Sequence, residues 1–242
     1  GLLGYLLDFD KPGFNVELVR RLRERDAING AGMNGLSYQP EEMKLLLEEL
    51  CTAAGVKVQL HTRVAAAYRE GRSLTTIVTE SKSGRQAWKA PVFIDTTGDG
   101  DLGAQAGCEF EIGREKACPC QPMTMYALLV VKDITQIADC IHGTGDNGTH
   151  VGPKAFQDTL KRAGVTPSYG HACLFPIQAN LVLLMANREY GINATDAAQV
   201  TEATFRARGE IHQIVRGLRK LGGPWDGVQV AATPEQIGIR DG

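Results

Sequence analysis

The run Ala90-Pro91-Val92-Phe93-Ile94-Asp95-Thr96-Thr97-Gly98-Asp99-Gly100-Asp101-Leu102-Gly103-Ala104-Gln105-Ala106-Gly107 reads as a strand, a glycine turn and the start of a small-residue helix. Val92 to Ile94 is continuously apolar, which suits a strand buried on both faces of a parallel sheet. Gly98 and Gly100 then let the main chain come close to a ligand at the carboxyl edge of that sheet. The helix start adds backbone N–H groups suited to phosphates. A nucleotide fits this geometry, and calcium does not. Asp95-x-Thr97-x-Asp99-Gly100 opens like a helix–loop–helix calcium loop, but Ala106 stands where the bidentate Glu is required and no long helix precedes it.

Upstream of this run, Asn15 caps a helix through Val16, Leu18, Val19, Leu22 and Arg25 that ends near Asn29-Gly30. The glycine-rich Gly30-Ala31-Gly32-Met33-Asn34-Gly35 lacks GxGxxG spacing and reads as a loop. Pro40, followed by Glu41 and Glu42, opens an amphipathic helix with Met43, Leu46, Leu47, Leu50 and Ala54 on its apolar face. Gly55 stops it. Val56 to Leu60 alternates as a strand, and Val64 to Tyr68 resumes after His61-Thr62-Arg63. Leu74 to Thr79 and Gln86 to Ala90 form a hairpin around Ser83-Gly84.

The run Val92 to Asp101 with Ala106-Gly107 resembles the second flavin-contacting motif of the FAD-dependent oxidoreductases that have a two-dinucleotide-binding-domain fold. The order helix, Gly-Val-x-Val strand, hairpin and apolar strand ending in Thr-Gly-Asp is similar to the second half of their flavin domain. The resemblance implies FAD as cofactor, with Thr97, Gly98, Asp99 and Gly100 near the dinucleotide and the backbone at Val64 against the adenine. From the residues alone, Val64 is equally a core position. Gln121 to Val131 resembles the first strand of the family's substrate domain, and Thr201-Glu202-Ala203 with Arg208 matches that domain's long helix. Thr233 to Gly242 resembles the family's Gly-x-Arg-Glu return to the flavin, with Asp241 in place of Glu. Only Arg240 carries over, as a contact to flavin or an anionic substrate; a surface arginine is the alternative reading.

Beyond Gly107 the character changes. Cys108 to Ile112 alternates as an edge strand, 133 to 141 is a short helix, and Gly143 to Gly152 is a polar loop. Lys154 to Ala163 is a helix stopped by Gly164, and Ala172 to Ile177 and Leu181 to Ala186 are apolar strands. The strongest helix runs from Asp196, capped with Gln199, to Leu221, where Gly222-Gly223-Pro224 ends it. The expected fold is α/β: residues 1–107 form part of an FAD/NAD(P)-binding Rossmann-like domain. A substrate domain of α+β type over 108–232 carries a mixed or antiparallel sheet with a long helix, and 233–242 begins the return to the flavin domain.

The 242 residues are 43% apolar and 22% charged, with a formal net charge of −2. That is a globular composition, with no basic surplus for nucleic acid. The apolar run Leu181 to Ala186 is too short to span a bilayer. The chain opens on Gly1 without Met, so a removed leader or a missing N-terminal portion is expected. The six cysteines lack the spacing of a small secreted framework, which points to a reducing, cytoplasmic setting. Cys118-Pro119-Cys120, Cys140-Ile141-His142 and His171-Ala172-Cys173 lack zinc-knuckle spacing, and no metal site is expected.

Three classes of function remain: part of an FAD-dependent oxidoreductase acting by flavin-mediated hydride transfer on a small molecule, a non-catalytic binding module, and a zinc enzyme using the Cys/His pairs. The first is favoured. His142, His150 and His171 are candidate bases only because imidazole titrates near neutral pH, and no catalytic residue is assigned. The family's GxGxxG turn and closing flavin segment have no counterpart here, so N- and C-terminal segments or a partner chain are expected to complete the flavin site.

Overall fold

The computed structural model describes residues 5–7, 11–32, 35–113, 120–142 and 151–240. A short strand β1 (Tyr5–Leu7) precedes helix α1 (Phe14–Glu24), which a left-handed Asp26 (φ 52°) ends earlier than its sequence suggests. The cause is Ala27: it is fully buried, and its N–H donates to Leu22 O at 2.9 Å, turning the chain back under the helix. The glycine-rich segment is therefore not a simple loop. It forms strands β2 (Ile28–Gly32) and β3 (Gly35–Tyr38), and β3 pairs antiparallel with both β1 and β2. Helix α2 (Pro40–Ala53) begins on Pro40 and stops at Gly55, whose φ of 69° only glycine adopts freely. Met43 and Leu46 join Leu18, Leu22, Leu36 and Tyr38 in one core, while Leu47 stays exposed.

The next sheet comprises β4 (Arg63–Glu70), β5 (Ser73–Ser81) and β6 (Gly84–Trp88), paired antiparallel in order. Helix α3 (Asp101–Gln105) packs on β4. Two strand expectations fail here. Val56–Leu60 and Val92–Ile94 pair with no strand among the described residues, and Val92 and Ile94 are 70% and 80% exposed. An apolar run specifies burial, but it becomes a strand only when a neighbour supplies hydrogen bonds. The parallel sheet expected around Phe93 does not form among the described residues. Cys108–Ile112 is also unpaired, with Phe110 exposed.

The largest core surrounds a four-stranded antiparallel sheet in the order β10-β7-β9-β8, built from β7 (Ala127–Val130), β8 (Cys173–Gln178), β9 (Leu181–Met185) and β10 (Gln229–Ala232). Residues 134–140 form a 3-10 helix, and α4 (Val151–Arg162) and the 25-residue α5 (Ala197–Leu221) cover one face of the sheet. Ala127, Leu129, Leu174, Val182 and Leu184 point to that face, meeting Ala203, Ala207, Ile211 and Ile214 of α5. The opposite face carries Tyr126, Leu128, Cys173, Phe175, Leu183 and Met185. Both faces are apolar, so period-2 alternation is muted in these strands.

Asp196 caps α5 by accepting from Ala198 N at 2.9 Å and Gln199 N at 3.2 Å. β2 and β3 lie against β8, and Asn29 Nδ2 donates to Ile177 O. The fold is thus mixed: helices with antiparallel sheets, including the expected long helix on an antiparallel sheet. No helix among the described residues is long and apolar enough to cross a membrane.

Candidate functional site

Asp95 organises the glycine turn. Its Oδ1 accepts from Thr97 N at 3.0 Å and Thr97 Oγ1 at 2.7 Å, and its Oδ2 accepts from Gly103 N at 2.9 Å. Thr97 Oγ1 in turn accepts from Asp101 N at 2.8 Å. The Thr97 backbone N–H, then its hydroxyl, then the Gly103 N–H hold the Asp95 carboxyl below the usual aspartate range. Leading amides of α3 are therefore consumed by the protein's own side chains, and the helix start is not left open for a phosphate.

The turn, by contrast, stays open. The amides of Gly98, Asp99 and Gly100 donate to no protein acceptor among the described residues. Gly98 and Gly100 have φ of 94° and 73°, and nothing lies within 4 Å of where a Cβ would stand. Thr97, Gly98, Asp99 and Gly100 are all exposed.

Val64 is held against the other end of α3. Gln105 Nε2, at the end of α3, donates to Val64 O at 3.3 Å, and a bulge at Ala65 interrupts pairing of β4 with β5. Gly107 closes the contact, since a Cβ there would stand 3.3 Å from Arg69 Nη2. Val64 thus packs against the C-terminal end of the helix whose N-terminus follows the Thr97–Gly100 turn. Arg240 lies elsewhere: Gly238 exchanges hydrogen bonds with Thr124 (2.8 and 3.1 Å), which sets the following Arg240 beside the four-stranded sheet, where its charge reaches Tyr126.

His142 packs on Phe175 with ring centroids 4.9 Å apart, and His171 meets Tyr169 edge-on at 5.9 Å. Among the described residues no three His, Cys, Asp or Glu side chains gather as a metal site. Cys118 and Pro119, His150, most of the Gly143–Gly152 loop and Asp241 lie outside the described residues.

Sequence reasoning passes over a second group. Asn187, fully buried, accepts from Met125 N at 3.3 Å and donates to Ser168 Oγ at 3.4 Å, to Glu189 Oε1 at 3.2 Å and to Glu210. Next to it, the Arg188 guanidinium stacks 4.1 Å over the Tyr169 ring, and the Arg188 N–H donates to Ser168 Oγ at 2.8 Å. Tyr126 faces this group, its phenol pushed up by burial. No short motif marks these residues. They come from four separate segments that only the sheet assembles.

This chain belongs to the FAD dependent oxidoreductase family, whose model matches residues 5–242. The family's cofactor is FAD, and the turn at 97–100 fits such a ligand by its open glycines and unpaired amides. Among solved structures, the chain is similar to a geranylgeranyl bacteriochlorophyll reductase-like protein from Thermoplasma acidophilum. The two share a TM-score of 0.50 and 10% identity over 87% of this chain and 44% of that one. It also matches L-proline dehydrogenase from P. horikoshii (TM-score 0.42, 15% identity, 85% and 44% covered). A third match is p-nitrophenol 4-monooxygenase from Pseudomonas putida (TM-score 0.43, 12% identity, 83% and 42% covered). The chain spans less than half the length of each. No curated protein matches it significantly.

Proposed function

We propose that this chain is the part of an FAD-dependent oxidoreductase that holds one side of the flavin dinucleotide and carries the surface on which a small-molecule substrate is oxidised or reduced by hydride transfer. The observation that carries this reading is the Thr97–Gly100 turn, fixed from behind by Asp95 and open in front. The amides of Gly98 and Gly100 suit dinucleotide oxygens, and the exposed Asp99 carboxylate, an acceptor only, suits sugar hydroxyls rather than phosphates. In this reading the Val64 backbone, held against the end of α3, meets the adenine, and Arg240 contacts the flavin or an anionic substrate. Bound FAD would supply the hydride acceptor or donor, while these residues bind, orient and exclude water.

Exposed Val56, Val58, Leu60, Val92 and Ile94 support a further element of the proposal. Polypeptide outside these 242 residues, or a partner chain, covers those segments and completes the flavin site. The test is flavin absorbance. A longer parent protein carrying this chain is expected to be yellow after reconstitution with FAD, and the 242-residue chain alone nearly colourless. Gly98→Val in the parent is expected to lower FAD retention at least tenfold. A colourless parent in excess FAD would overturn the reading and leave a binding module without redox chemistry.

A further inference from the structure

Helix α5 buries Ala203, Ala207, Ile211, Ile214 and Leu218 against the four-stranded sheet. Its opposite face is exposed along the helix through Glu202, Phe205, Gly209, His212, Gln213 and Arg216. These positions recur at three and four, so they form one stripe. Phe205 is 67% exposed there, whereas Ile211, Ile214, Val215 and Leu218 of the same helix are buried. Beside it the stripe hollows into an open groove of about 480 Å³, lined by Phe205, Arg208, Gly209, His212, Gln213 and Arg216. One wall is fixed, because Arg208 donates to Thr233 Oγ1 at 3.3 Å and to Pro234 O at 3.4 Å. No described atom lies within 4 Å of where a Gly209 Cβ would stand, so the packing of this chain does not require a glycine there. A glycine inside a helix destabilises it relative to alanine. Charge divides along the stripe, with Glu202 in its N-terminal half and Arg216 and Lys220 in its C-terminal half. Among the described residues Glu202 reaches only Arg206, at 3.9 Å, and that guanidinium is already held by Glu189 at 2.9 Å. Arg216 makes no ion pair among them.

We propose that this stripe is the contact between two copies of the chain, whose α5 helices lie antiparallel about a two-fold axis through Gly209. Residues equidistant from Gly209 then oppose one another: Phe205 faces Gln213 of the second copy, Glu202 faces Arg216, and Ala198 faces Lys220. Each Phe205 enters the groove between Gly209, His212, Gln213 and Arg216 of the other copy, so the exposed aromatic and the hollow fill each other twice. The two glycines meet where the helices cross, which lets the backbones approach closely. Glu202 gains a counter-charge at each end of the contact, and the two helix dipoles oppose. A parallel pair would instead set Glu202 on Glu202 and Arg216 on Arg216, which repel. The stripe thus carries both halves of the contact, as an interface between identical surfaces requires. It lies on the side of α5 away from the sheet and is independent of the oxidoreductase reading.

Analytical ultracentrifugation of the 242-residue chain, and of a longer parent protein carrying it, reads the association. A single helix pair is at the small end of stable interfaces, so half-dissociation is expected at roughly 1–100 µM. Phe205→Ser is expected to weaken the dimer at least about tenfold. Glu202→Arg and Arg216→Glu should each weaken it about threefold or more, and the double Glu202→Arg/Arg216→Glu should return it to within about threefold of the original. All three side chains are exposed, so the variants leave the fold intact. Arg72→Ser, in the turn between β4 and β5, should leave the dimer unchanged. A chain still monomeric at roughly 300 µM, a dimer indifferent to Phe205→Ser, or a double variant no better than its singles would overturn the proposal. So would a parent that stays monomeric where the 242-residue chain pairs, since another segment of the parent would then occupy the stripe.

Discussion

Asp95→Ala removes three hydrogen bonds at once: those from Thr97 N, Thr97 Oγ1 and Gly103 N. A bond to a charged acceptor contributes about 1.5–3 kcal/mol in protected settings, and on this exposed surface roughly 1 kcal/mol or less is reasonable for each. The three together then hold the turn closed by about 2 kcal/mol, a factor of roughly 30 in an opening equilibrium. Amide hydrogen exchange over residues 97–105 reads this directly, and Asp95→Ala should raise the rate there about 30-fold while leaving β7 and α5 unchanged.

Asp95→Asn is the sharper variant. Its Oδ1 can still serve Thr97, but an amide nitrogen replaces the acceptor for Gly103 N–H, so only the latch to α3 is lost, with about fivefold faster exchange at Gly103. The pH dependence has a fixed sign. The folded-state pKa of Asp95 is depressed, so its contribution is complete above the unfolded value of about 3.9 and fades as pH falls through the lower folded value. Unchanged exchange at 97–105 in Asp95→Ala would refute the claim that this carboxylate holds the turn.

Asn187 is buried and joined to Met125, Ser168, Glu189 and Glu210, so Asn187→Leu should destabilise by about 3 kcal/mol or more in urea unfolding, because their polar groups lose a buried partner. Gly152→Ala and Gly209→Ala should differ in sign. A Cβ at Gly152 would run into Ile141 O, a backbone atom that cannot yield cheaply, whereas one at Gly209 meets nothing within 4 Å and should gain up to about 1 kcal/mol of helix propensity. Thiol labelling at pH 8 should modify the exposed Cys108 quickly and spare Cys140 and Cys173, whose thiols burial pushes up to about 11 and about 12. Since the unfolded chain ionises these thiols first, stability should fall as pH rises above about 8.5, and a flat profile there would contradict their burial.

How much of the fold and site is legible in the sequence depends on whether the signal is local. Helix α5 is written in full, with Asp196 as cap, apolar residues at three and four, and Gly222 as stop. The runs Val56–Leu60 and Val92–Ile94 carry strand patterns and remain unpaired, because a pattern states a need for burial and gives no address for the partner. The β2–β3 hairpin shows the converse: its glycines hide the period-2 signal, and pairing with β1 and packing on β8 decide the outcome. Arg188, Tyr126 and Tyr169 are invisible as a group because only strand register brings them together.

The glycine turn is local enough to read, yet its anchor is not a cofactor signal. Asp95-Thr96-Thr97 is an Asx-x-Thr unit, and the same unit recurs at Asp133-Ile134-Thr135 and Asn193-Ala194-Thr195. In all three the first side chain accepts from the threonine N–H (2.9–3.0 Å) and from its hydroxyl (2.7–2.8 Å), just before a helix or 3-10 turn. Two of the three serve the four-stranded-sheet region, far in sequence from the glycine turn. The Asx-x-Thr geometry is thus a helix-starting device and says nothing by itself about a cofactor. The Asp95 copy is set apart by the residues just after it: two positive-φ glycines flank Asp99, with free amides and open space in front. If those glycines can be replaced by alanine in the flavin-loading parent without loss of FAD, the turn is only a third instance of the same device, and the flavin must be held by other parts of the molecule.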